Sequence, residues 1–342
     1  MLGTRRGAAR LSEQATNQSV DQVAGLVARS RAGKRLSIVA PMHDEAPVLD
    51  GFFARIEAAT ADLGVDLEIV CVDDGSRDAT LAALALRAGR DARVKVVALA
   101  RNFGKEAALT AGIDAASGDM VVPIDADLQD PPELIAEFVR LWERGYDVVY
   151  GARADRSSDT ALKRSSARLF YNFFNRVSDL AIPESAGDFR LMDRAVVEAL
   201  KLLPERNRFM KGLFAWVGFR QIGVPYVRPR RLAGTSSFGY LRLLRFATDG
   251  ITSFSTAPLR IWTGVGLAGA LLAVLAALGL IVMVLVRGRQ VPGYASLMVV
   301  ILLGFAVQMI AFGVLGEYVG RLYQEVKGRP IYIVRARLGF GD

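Results

Sequence analysis

Cysteine and histidine are nearly absent from this 342-residue chain, which has only Cys71 and His43. A single cysteine excludes an intrachain disulfide, and the apolar residues around it (residues 67–72) predict a buried strand thiol without a reactive role. The sequence also lacks zinc-finger spacing, an RNA-binding signature and a basic helix, so its net charge of +8 does not indicate nucleic-acid binding. Attraction to anionic lipid headgroups explains that charge more simply.

Two segments lack charge altogether, residues 262–286 and residues 294–316. Each exceeds the roughly 18 apolar residues that mark a candidate membrane span, and we predict two transmembrane helices rather than two buried core helices. Cytoplasmic flanks carry the excess of Lys and Arg, which here places the large N-terminal part and the C-terminus in the cytoplasm. The connecting loop holds Arg287 and Arg289, whereas the flanks hold Arg242, Arg245, Arg260, Arg321, Lys327, Arg329, Arg335 and Arg337.

Apolar strands alternate with helical patterns up to residue 150. This alternation predicts an α/β fold with a mainly parallel, Rossmann-like sheet covered by helices on both faces. Strands are predicted at 36–40, 67–72, 94–99, 120–124 and 148–150, and helices at 47–63, 78–87, 105–117 and 132–144. Beyond residue 150 the pattern is mixed, with a strand predicted at 188–192 and helices at 195–203 and 209–217.

Around this domain the sequence predicts terminal and membrane-proximal parts. Residues 1–33 have no signal-peptide core and predict a disordered or loosely helical tail. Residues 239–260 carry apolar side chains at helical spacing with arginines between them, which is typical of helices on a membrane surface. The β-branched residues within 330–334 could add a strand to a neighbouring subunit. The predicted parts are the tail at 1–33, an α/β domain at 34–238, interfacial amphipathic helices at 239–260, a two-helix transmembrane region at 261–317 and a cytoplasmic tail at 318–342.

Asp125 and Asp127 follow the apolar run of residues 120–124 and stand one residue apart. Strand alternation directs both carboxylates to the same side, at the edge where open α/β sheets bind ligands. Two such oxygen ligands suit a Mg²⁺ ion that takes its remaining ligands from a diphosphate. A lone Asp-X-Asp is more often a solvated turn, but here further polar residues follow the other strands.

Those further residues lie in 41–45 and 73–76, after the first and second strands. Asp74 could accept a hydrogen bond from a nucleobase, and Gly75 lets the backbone approach a ligand closely. We expect His43 to pack against the nucleotide or to hydrogen-bond rather than to transfer a proton. The pattern as a whole predicts a nucleotide pocket at this edge of the sheet.

Seven short strings follow one another in a fixed order, at residues 41–45, 72–76, 101–106, 125–129, 187–191, 208–212 and 316–330. Together they resemble family 2 glycosyltransferases with the GT-A fold. More narrowly, the chain is similar to the polyprenyl-phosphate glycosyltransferases, which include dolichyl-phosphate mannose synthase and the bacterial undecaprenyl-phosphate glucosyltransferases. The similarity extends from about Leu36 to the C-terminus, and the bacterial two-span branch fits best.

The resemblance implies a role for each matching position. His43–Asp44 departs from the commoner Tyr-Asn of the family, and Ser237 stands where the eukaryotic mannose synthases have Lys. The implied donor-binding residues are Pro41, His43, Glu45, Val72, Asp74, Asp125, Ala126 and Arg153. The implied ligands of Mg²⁺ or Mn²⁺ are Asp125, Asp127 and Gln129. Catalytic roles fall to Asp188, Asp127 and Arg190, and acceptor or phosphate binding to Arg208, Lys211 and Arg231.

The chemistry of the implied reaction agrees with these residue types. A bound metal stabilises the negative charge that develops on a departing nucleoside diphosphate. A lipid monophosphate acceptor is mostly dianionic at neutral pH and needs little help from a general base, so we expect Asp188 to orient the acceptor or the sugar. Arginines and lysines would hold phosphate oxygens in line with the anomeric carbon. The family implies inversion at that carbon.

The sequence therefore predicts metal-dependent transfer of one sugar, with UDP-glucose favoured as donor, to undecaprenyl phosphate at the cytoplasmic face of a bacterial plasma membrane. A homo-oligomer, with a tetramer favoured, is implied by the two-span relatives. A processive polysaccharide synthase is one alternative, although two spans give little material for a channel and no Gln-X-X-Arg-Trp string is present. The other is a noncatalytic GT-A membrane scaffold, which would have no reason to keep the acidic pair.

Overall fold

The central strands of the fold are apolar along nearly their whole length because helices cover both faces of the sheet. In the first strand, Arg35–Met42, all side chains from Leu36 to Ala40 are completely buried. The structure is a computed structural model. It describes residues 27–127, 129–153, 186–203, 205–206, 208, 210–226, 257–287 and 293–341.

The order of elements confirms the predicted alternation of strands and helices. Each strand and helix predicted up to residue 217 is present, with its ends moved by a few residues. The strands are β1 (Arg35–Met42), β2 (Asp66–Asp73), β3 (Val94–Leu99), β4 (Met120–Pro123), β5 (Val148–Arg153), β6 (Ala186–Asp193), β7 (Gln221–Tyr226) and β8 (Val334–Leu338). The α-helices are α1 (Leu49–Thr60), α2 (Thr80–Ala88), α3 (Lys105–Ala115), α4 (Ile135–Glu143), α5 (Arg194–Lys201), α6 (Met210–Trp216), α7 (Ala257–Arg287) and α8 (Tyr294–Val326).

The eight strands form one sheet in the order β7-β5-β6-β4-β1-β2-β3-β8. The four central strands β4, β1, β2 and β3 are parallel, and β5 and β7 are also parallel to each other. Strand β6 is antiparallel to both of its neighbours, and β8 is antiparallel to β3. Chain order reverses at β1, since β2 lies on one side of it and β4 on the other. The crevice at such a switch point is where ligands bind in open α/β sheets.

Alternate residues of each central strand enter two cores, one on each face of the sheet. On β1, Ile38 belongs to the core that Phe52 of α1 and Phe138 of α4 complete. The next residue, Val39, belongs to the opposite core, which contains Leu109 of α3. The loops that follow β1, β3 and β4 lead into these helices.

The N-terminal boundary of the domain lies earlier than predicted. Arg29 falls in the segment predicted to be disordered, but its backbone N–H donates to the Glu143 carbonyl at 2.7 Å. Its guanidinium donates to the Tyr146 carbonyl at 3.0 Å and forms an ion pair with Asp147. The prediction of disorder through residue 33 is therefore wrong at Arg29, because the predicted domain supplies three partners for it. Residues 1–26 lie outside the described part.

Helices α7 and α8 contain the two apolar segments of the sequence. Within the described residues, one helical stretch is long and apolar enough to cross a membrane, Leu303–Val326, with a mean hydropathy of 1.4. The pair of spans therefore stays a prediction. The predicted interfacial segment at 239–260 lies outside the described residues except for its last four, which begin α7.

The C-terminal tail adds a strand to the sheet of its own chain. The sequence predicted that residues 330–334 could pair with a neighbouring subunit. Strand β8, Val334–Leu338, begins at the last residue of that segment and pairs with β3 of the same chain, while pairing of residues 330–333 with a neighbouring subunit stays a prediction. The β3 edge would otherwise present unpaired backbone groups, and β8 covers it.

Candidate active site

Strands β1 to β4 all end at one edge of the sheet, and the loops that follow them enclose an open cavity of about 320 Å³. Six of the predicted donor-binding residues line it. This agreement follows from the parallel strand directions, which bring loops distant in sequence to one edge. The lining residues are Pro41, Met42, His43, Glu45, Asp74, Asn102, Gly104, Lys105, Ala108, Asp125, Ala126 and Asp127.

The acidic pair is divided between two environments. Asp127 is exposed on the cavity surface, whereas the Asp125 side chain is 28% exposed and forms an ion pair with Lys105. The Lys105 Nζ atom lies 2.7 Å from Oδ1 and 2.9 Å from Oδ2 of Asp125. It also lies 3.0 Å from Oδ2 of Asp188 on β6. One ammonium group therefore joins the first aspartate of the pair to the predicted catalytic aspartate.

The cation and its partners shift one another's protonation. Burial would lower the pKa of Lys105, but the charges of Asp125 and Asp188 raise it above its ordinary value. Burial would raise the pKa of Asp188, yet Lys105 and Lys211 hold it below its usual range. At neutral pH Lys105 is therefore protonated and Asp188 ionised.

A further carboxyl group, Glu106, lies beside Asp188. Burial, and next the charge of Asp188, raise the pKa of Glu106 to about 7. Oδ1 of Asp188 and Oε2 of Glu106 are both buried without a hydrogen-bond partner among the described residues. Lys211, one of the predicted phosphate-binding residues, is close enough to lower the pKa of both. Asp188 and Glu106 therefore each offer a carboxyl oxygen beside the cavity to which no described residue donates a hydrogen bond.

Asp74 holds the backbone of the loop that leads into α3. Its Oδ1 accepts from the Phe103 N–H at 2.7 Å and its Oδ2 from the Gly104 N–H at 2.8 Å. Gly75 has φ +66°, and a Cβ there would lie 2.5 Å from the Arg101 carbonyl carbon. The loops after β2 and β3 are therefore locked together at this edge. Each Asp74 oxygen keeps one lone pair for a ligand.

His43 and Glu45 form the wall that follows β1. The His43 Nδ1 atom lies 2.9 Å from the Asp74 carbonyl, which fixes the tautomer with the proton on Nδ1. This agrees with the expectation that the ring packs or hydrogen-bonds. Burial, followed by the charges of Asp127 and Asp125, raises the pKa of Glu45. The carboxyl groups of Glu45, Asp125 and Asp127 therefore line the same cavity.

The convergence of carboxyl groups fits a divalent cation. Among the described residues, no group of three or more His, Cys, Asp and Glu side chains is arranged to hold a metal ion. An ion held by Asp125 and Asp127 would therefore need ligands from a diphosphate, as Mg²⁺ commonly does. Gln129, the predicted third ligand, is 7% exposed, and its N–H donates to Oδ1 of Asp127 at 3.2 Å.

Besides Gln129, Asp188 and Lys211, three further predicted site residues lie outside the lining of the cavity. Val72 is completely buried in the core under α3, because strand alternation turns it away from the edge. Arg190 is 3% exposed, donates to the Gly187 carbonyl at 2.6 Å and lies 3.9 Å from the Phe214 ring centroid. A guanidinium held in the core in this way has no free access to phosphate.

The third of these residues is Arg208, which lies away from the cavity. It donates to the Leu203 carbonyl at 2.9 Å, and its neighbours are acidic groups near the end of α3. The prediction for Arg231 lies outside the described residues. For Arg153 only the backbone is described, in β5 opposite Tyr226.

Sequence reasoning missed Lys105, Glu106 and Asn102 as site residues. All three belong to the string at 101–106, which carried the family resemblance but received no role. The available signal was topological: this string follows β3, the third of the parallel strands, and must reach the same edge as Asp74 and Asp125.

Comparison with known proteins defines the class. Residues 37–201 match the model for glycosyl transferase family 2. An uncharacterized glycosyltransferase of Synechocystis sp. is 52% identical over 299 residues, covering 87% of this chain and 94% of that protein. The bactoprenol glucosyl transferase of Shigella phage SfV is 48% identical over 301 residues, covering 88% of this chain and 98% of its own.

The fold and these similarities define a glycosyltransferase with a GT-A type α/β domain. The chain belongs to glycosyl transferase family 2. Among solved structures, a mannosyltransferase of Pyrobaculum calidifontis in complex with GDP-Man and Mn²⁺ is 16% identical, with a TM-score of 0.42. That similarity covers 94% of this chain and 99% of the other.

Proposed function

We propose that this enzyme transfers a single sugar from a nucleotide donor, with UDP-glucose favoured, to undecaprenyl phosphate. The product would be a polyprenyl monophosphate sugar with inverted configuration at the anomeric carbon. The observation that carries the proposal is identity of 46–48% to several bactoprenol glucosyl transferases, over nearly their whole length. The acidic cavity at the switch point of the sheet supports it independently.

On the donor side, the residues after β1 and β2 would hold the nucleotide. Pro41, His43, Glu45 and Asp74 line the part of the cavity next to these two strands. Mg²⁺ or Mn²⁺, held by Asp125 and Asp127, would neutralise charge on the departing diphosphate. Glu45 contributes additional negative potential, which favours a cation at this place.

On the acceptor side, Asp188 and Lys211 would meet the lipid phosphate and the sugar. The lowered pKa of Asp188 keeps it ionised, so it is suited to accept hydrogen bonds from sugar hydroxyl groups. The acceptor phosphate is itself mostly a dianion at neutral pH and attacks without prior loss of a proton. Lys211 supplies a positive charge for a phosphate near Asp188.

The prenyl chain of the acceptor lies within the lipid of the bilayer, so the reacting phosphate lies at the membrane surface. We propose that α7 and α8 span a bacterial plasma membrane and that the catalytic domain and both termini are cytoplasmic, as the distribution of Arg and Lys favours. We also propose a homo-oligomer, with a tetramer favoured. Crosslinking in native membranes tests this, and a purely monomeric pattern would contradict it.

The deciding experiment is transfer of radiolabelled sugar to undecaprenyl phosphate by the purified full-length protein. A panel of UDP- and GDP-sugars is offered with Mn²⁺ or Mg²⁺ and again with EDTA. We expect one labelled monoglycosyl lipid, formed from one donor and lost with EDTA. A polymeric product would identify a processive synthase, and no transfer from any donor would favour a noncatalytic scaffold.

Asp127→Ala tests the assignment of the acidic pair. We expect loss of transfer by at least about 10²-fold, because one of the two carboxylates proposed to hold the metal ion at the diphosphate is removed. Asp62→Ala is the matched control, since Asp62 is also an exposed aspartate but lies after α1, and it should retain full activity. Undiminished transfer by folded Asp127→Ala would show that Asp127 is not a ligand of the metal ion.

A further inference from the structure

Lys105 holds the aspartate that the proposed function assigns to a metal ion. Its ammonium contacts both oxygens of Asp125, at 2.7 and 2.9 Å, and one oxygen of Asp188 at 3.0 Å. Three carboxylate oxygens around one cation resemble the oxygen ligation of a hard metal ion. A metal ion that binds through Asp125 must therefore compete with this lysine.

The backbone keeps Lys105 at this place. It is the first residue of α3, and the preceding Gly104 has φ +96°, a conformation that suits glycine. Asp74 binds the N–H groups of both Gly104 and Phe103. A surface ion pair between mobile side chains contributes little, but here the Cα of the lysine is fixed and the partners lie at the ends of β4 and β6.

The position is also unfavourable for a lysine unless the carboxylates are present. The first turn of a helix carries a partial positive charge, which repels cations. Lys105 has 44% of its side chain exposed and so has open solvent within reach. It nevertheless contacts Asp125 and Asp188, so that the acidic residues, not the helix, determine where the charge lies.

We propose that Lys105 is a tethered counter-ion that occupies Asp125 until a divalent metal arrives together with a nucleotide diphosphate. This inference rests on the proposed function. Free metal ions would bind weakly, because they must displace the ammonium from both oxygens of Asp125. A diphosphate brings negative charge that ligates the metal and attracts the displaced lysine, so metal and nucleotide bind cooperatively. The lysine keeps Asp188 as a partner after its displacement.

The direct test is binding of Mn²⁺ alone. Binding is measured as the loss of the electron paramagnetic resonance signal of the free ion. The test uses the purified full-length protein in detergent, without and with UDP. Lys105→Met removes the charge at similar side-chain length, and Lys105→Arg retains it. We expect Lys105→Met to bind Mn²⁺ alone at least about tenfold more tightly than wild type, because a unit positive charge within a few ångströms is gone. Lys105→Arg should stay within about threefold of wild type.

The effect of UDP gives a second measurement on the same proteins. In the wild type we expect UDP to tighten Mn²⁺ binding by at least about tenfold. In Lys105→Met we expect a smaller gain, because the diphosphate still ligates the metal but no displaced lysine is present to attract it. If Lys105→Met does not fold, Lys105→Gln replaces it. Unchanged or weaker binding of Mn²⁺ alone by the uncharged variant would overturn the inference, as would equal gains from UDP in both proteins.

These outcomes are separate from the outcome for the proposed function. If Lys105→Met binds metal as wild type does while sugar transfer to undecaprenyl phosphate is intact, only the counter-ion role is wrong. If Lys105→Met tightens metal binding but no lipid-linked sugar forms, only the proposed acceptor or donor is wrong. The metal-binding measurement uses neither the sugar nor the lipid.

Discussion

Asp74→Asn is a minimal change at the residue that joins the loops after β2 and β3. Asp74 is 3% exposed, and each of its oxygens accepts one backbone N–H, from Phe103 and from Gly104. Asparagine has nearly the same shape but only one acceptor oxygen. Its amide NH₂ group would face the backbone N–H of either Phe103 or Gly104. One hydrogen bond is then lost, and two donor groups point at each other.

The size of the effect follows from these contacts. A hydrogen bond to a charged group contributes roughly 1.5–3 kcal/mol, and an unsatisfied buried donor adds a penalty of similar size. The loop between Asn102 and Lys105 can avoid that penalty by moving away from the cavity. Returning it to the binding conformation would then require about 3 kcal/mol, which reduces nucleotide affinity by about 10²-fold.

The assay is calorimetric titration of the full-length protein with UDP in the presence of Mn²⁺. Asp44→Asn is the matched control: Oδ1 of Asp44 accepts from the Arg77 and Asp78 N–H groups, so one oxygen serves both donors. Asparagine also tolerates the φ of +56° at this position. We expect the control to bind UDP as wild type does. Affinity of Asp74→Asn within threefold of wild type would refute the argument.

Two further predictions concern stability. Although burial alone would raise the pKa of Glu68, hydrogen bonds from Lys95, Ser37 and Ser117 lower it to about 2 from 4.5. The resulting stabilisation is complete above pH 4.5 and is lost as pH falls toward 2. Glu68→Gln should therefore lower the unfolding free energy by about 3 kcal/mol at pH 7. An acid titration monitored by circular dichroism should show this difference from wild type disappear. Gly112→Ala places a Cβ 2.4 Å from a β1 valine methyl and should lower the unfolding free energy by about 1–3 kcal/mol, visible as a lower melting temperature; an unchanged melting temperature would contradict this packing.

The fold up to residue 150 was predictable because each buried strand is an uninterrupted apolar run between helical patterns. The direction of β6 was not, since antiparallel pairing with β4 and β5 depends on where the chain returns after a long connection. Strand β7 contains Gly223 and Pro225, which both disfavour strands in local propensity. It forms at the sheet edge next to β5, where a missing N–H is tolerated.

In the candidate site, residues directly after an apolar strand were predictable and those beyond were not. Asp74, Asp125 and Asp127 follow from strand ends alone. Lys105 lies six residues past β3, and its importance depends on the φ of Gly104 and on the hydrogen bonds of Asp74, which no local pattern expresses. Arg190, which the resemblance gave a catalytic role, packs its guanidinium against Phe214, and no local pattern in the sequence predicts that contact.

The segment after α8 connects the candidate membrane helix to the active-site helix. Oε1 of Glu325, near the end of α8, accepts from the Arg206 N–H at 2.9 Å, and the Arg206 guanidinium donates to the Arg329 carbonyl at 2.9 Å. Seven residues beyond Glu325, the Tyr332 hydroxyl donates to Asp114 of α3 at 2.7 Å, and β8 then pairs with β3. The helix that presents Lys105 at its first turn is therefore held at its last turn by the chain that leaves α8. If α8 spans the membrane as proposed, these contacts fix the distance of the cavity from the bilayer, and an acceptor whose prenyl chain stays in lipid requires such a fixed distance.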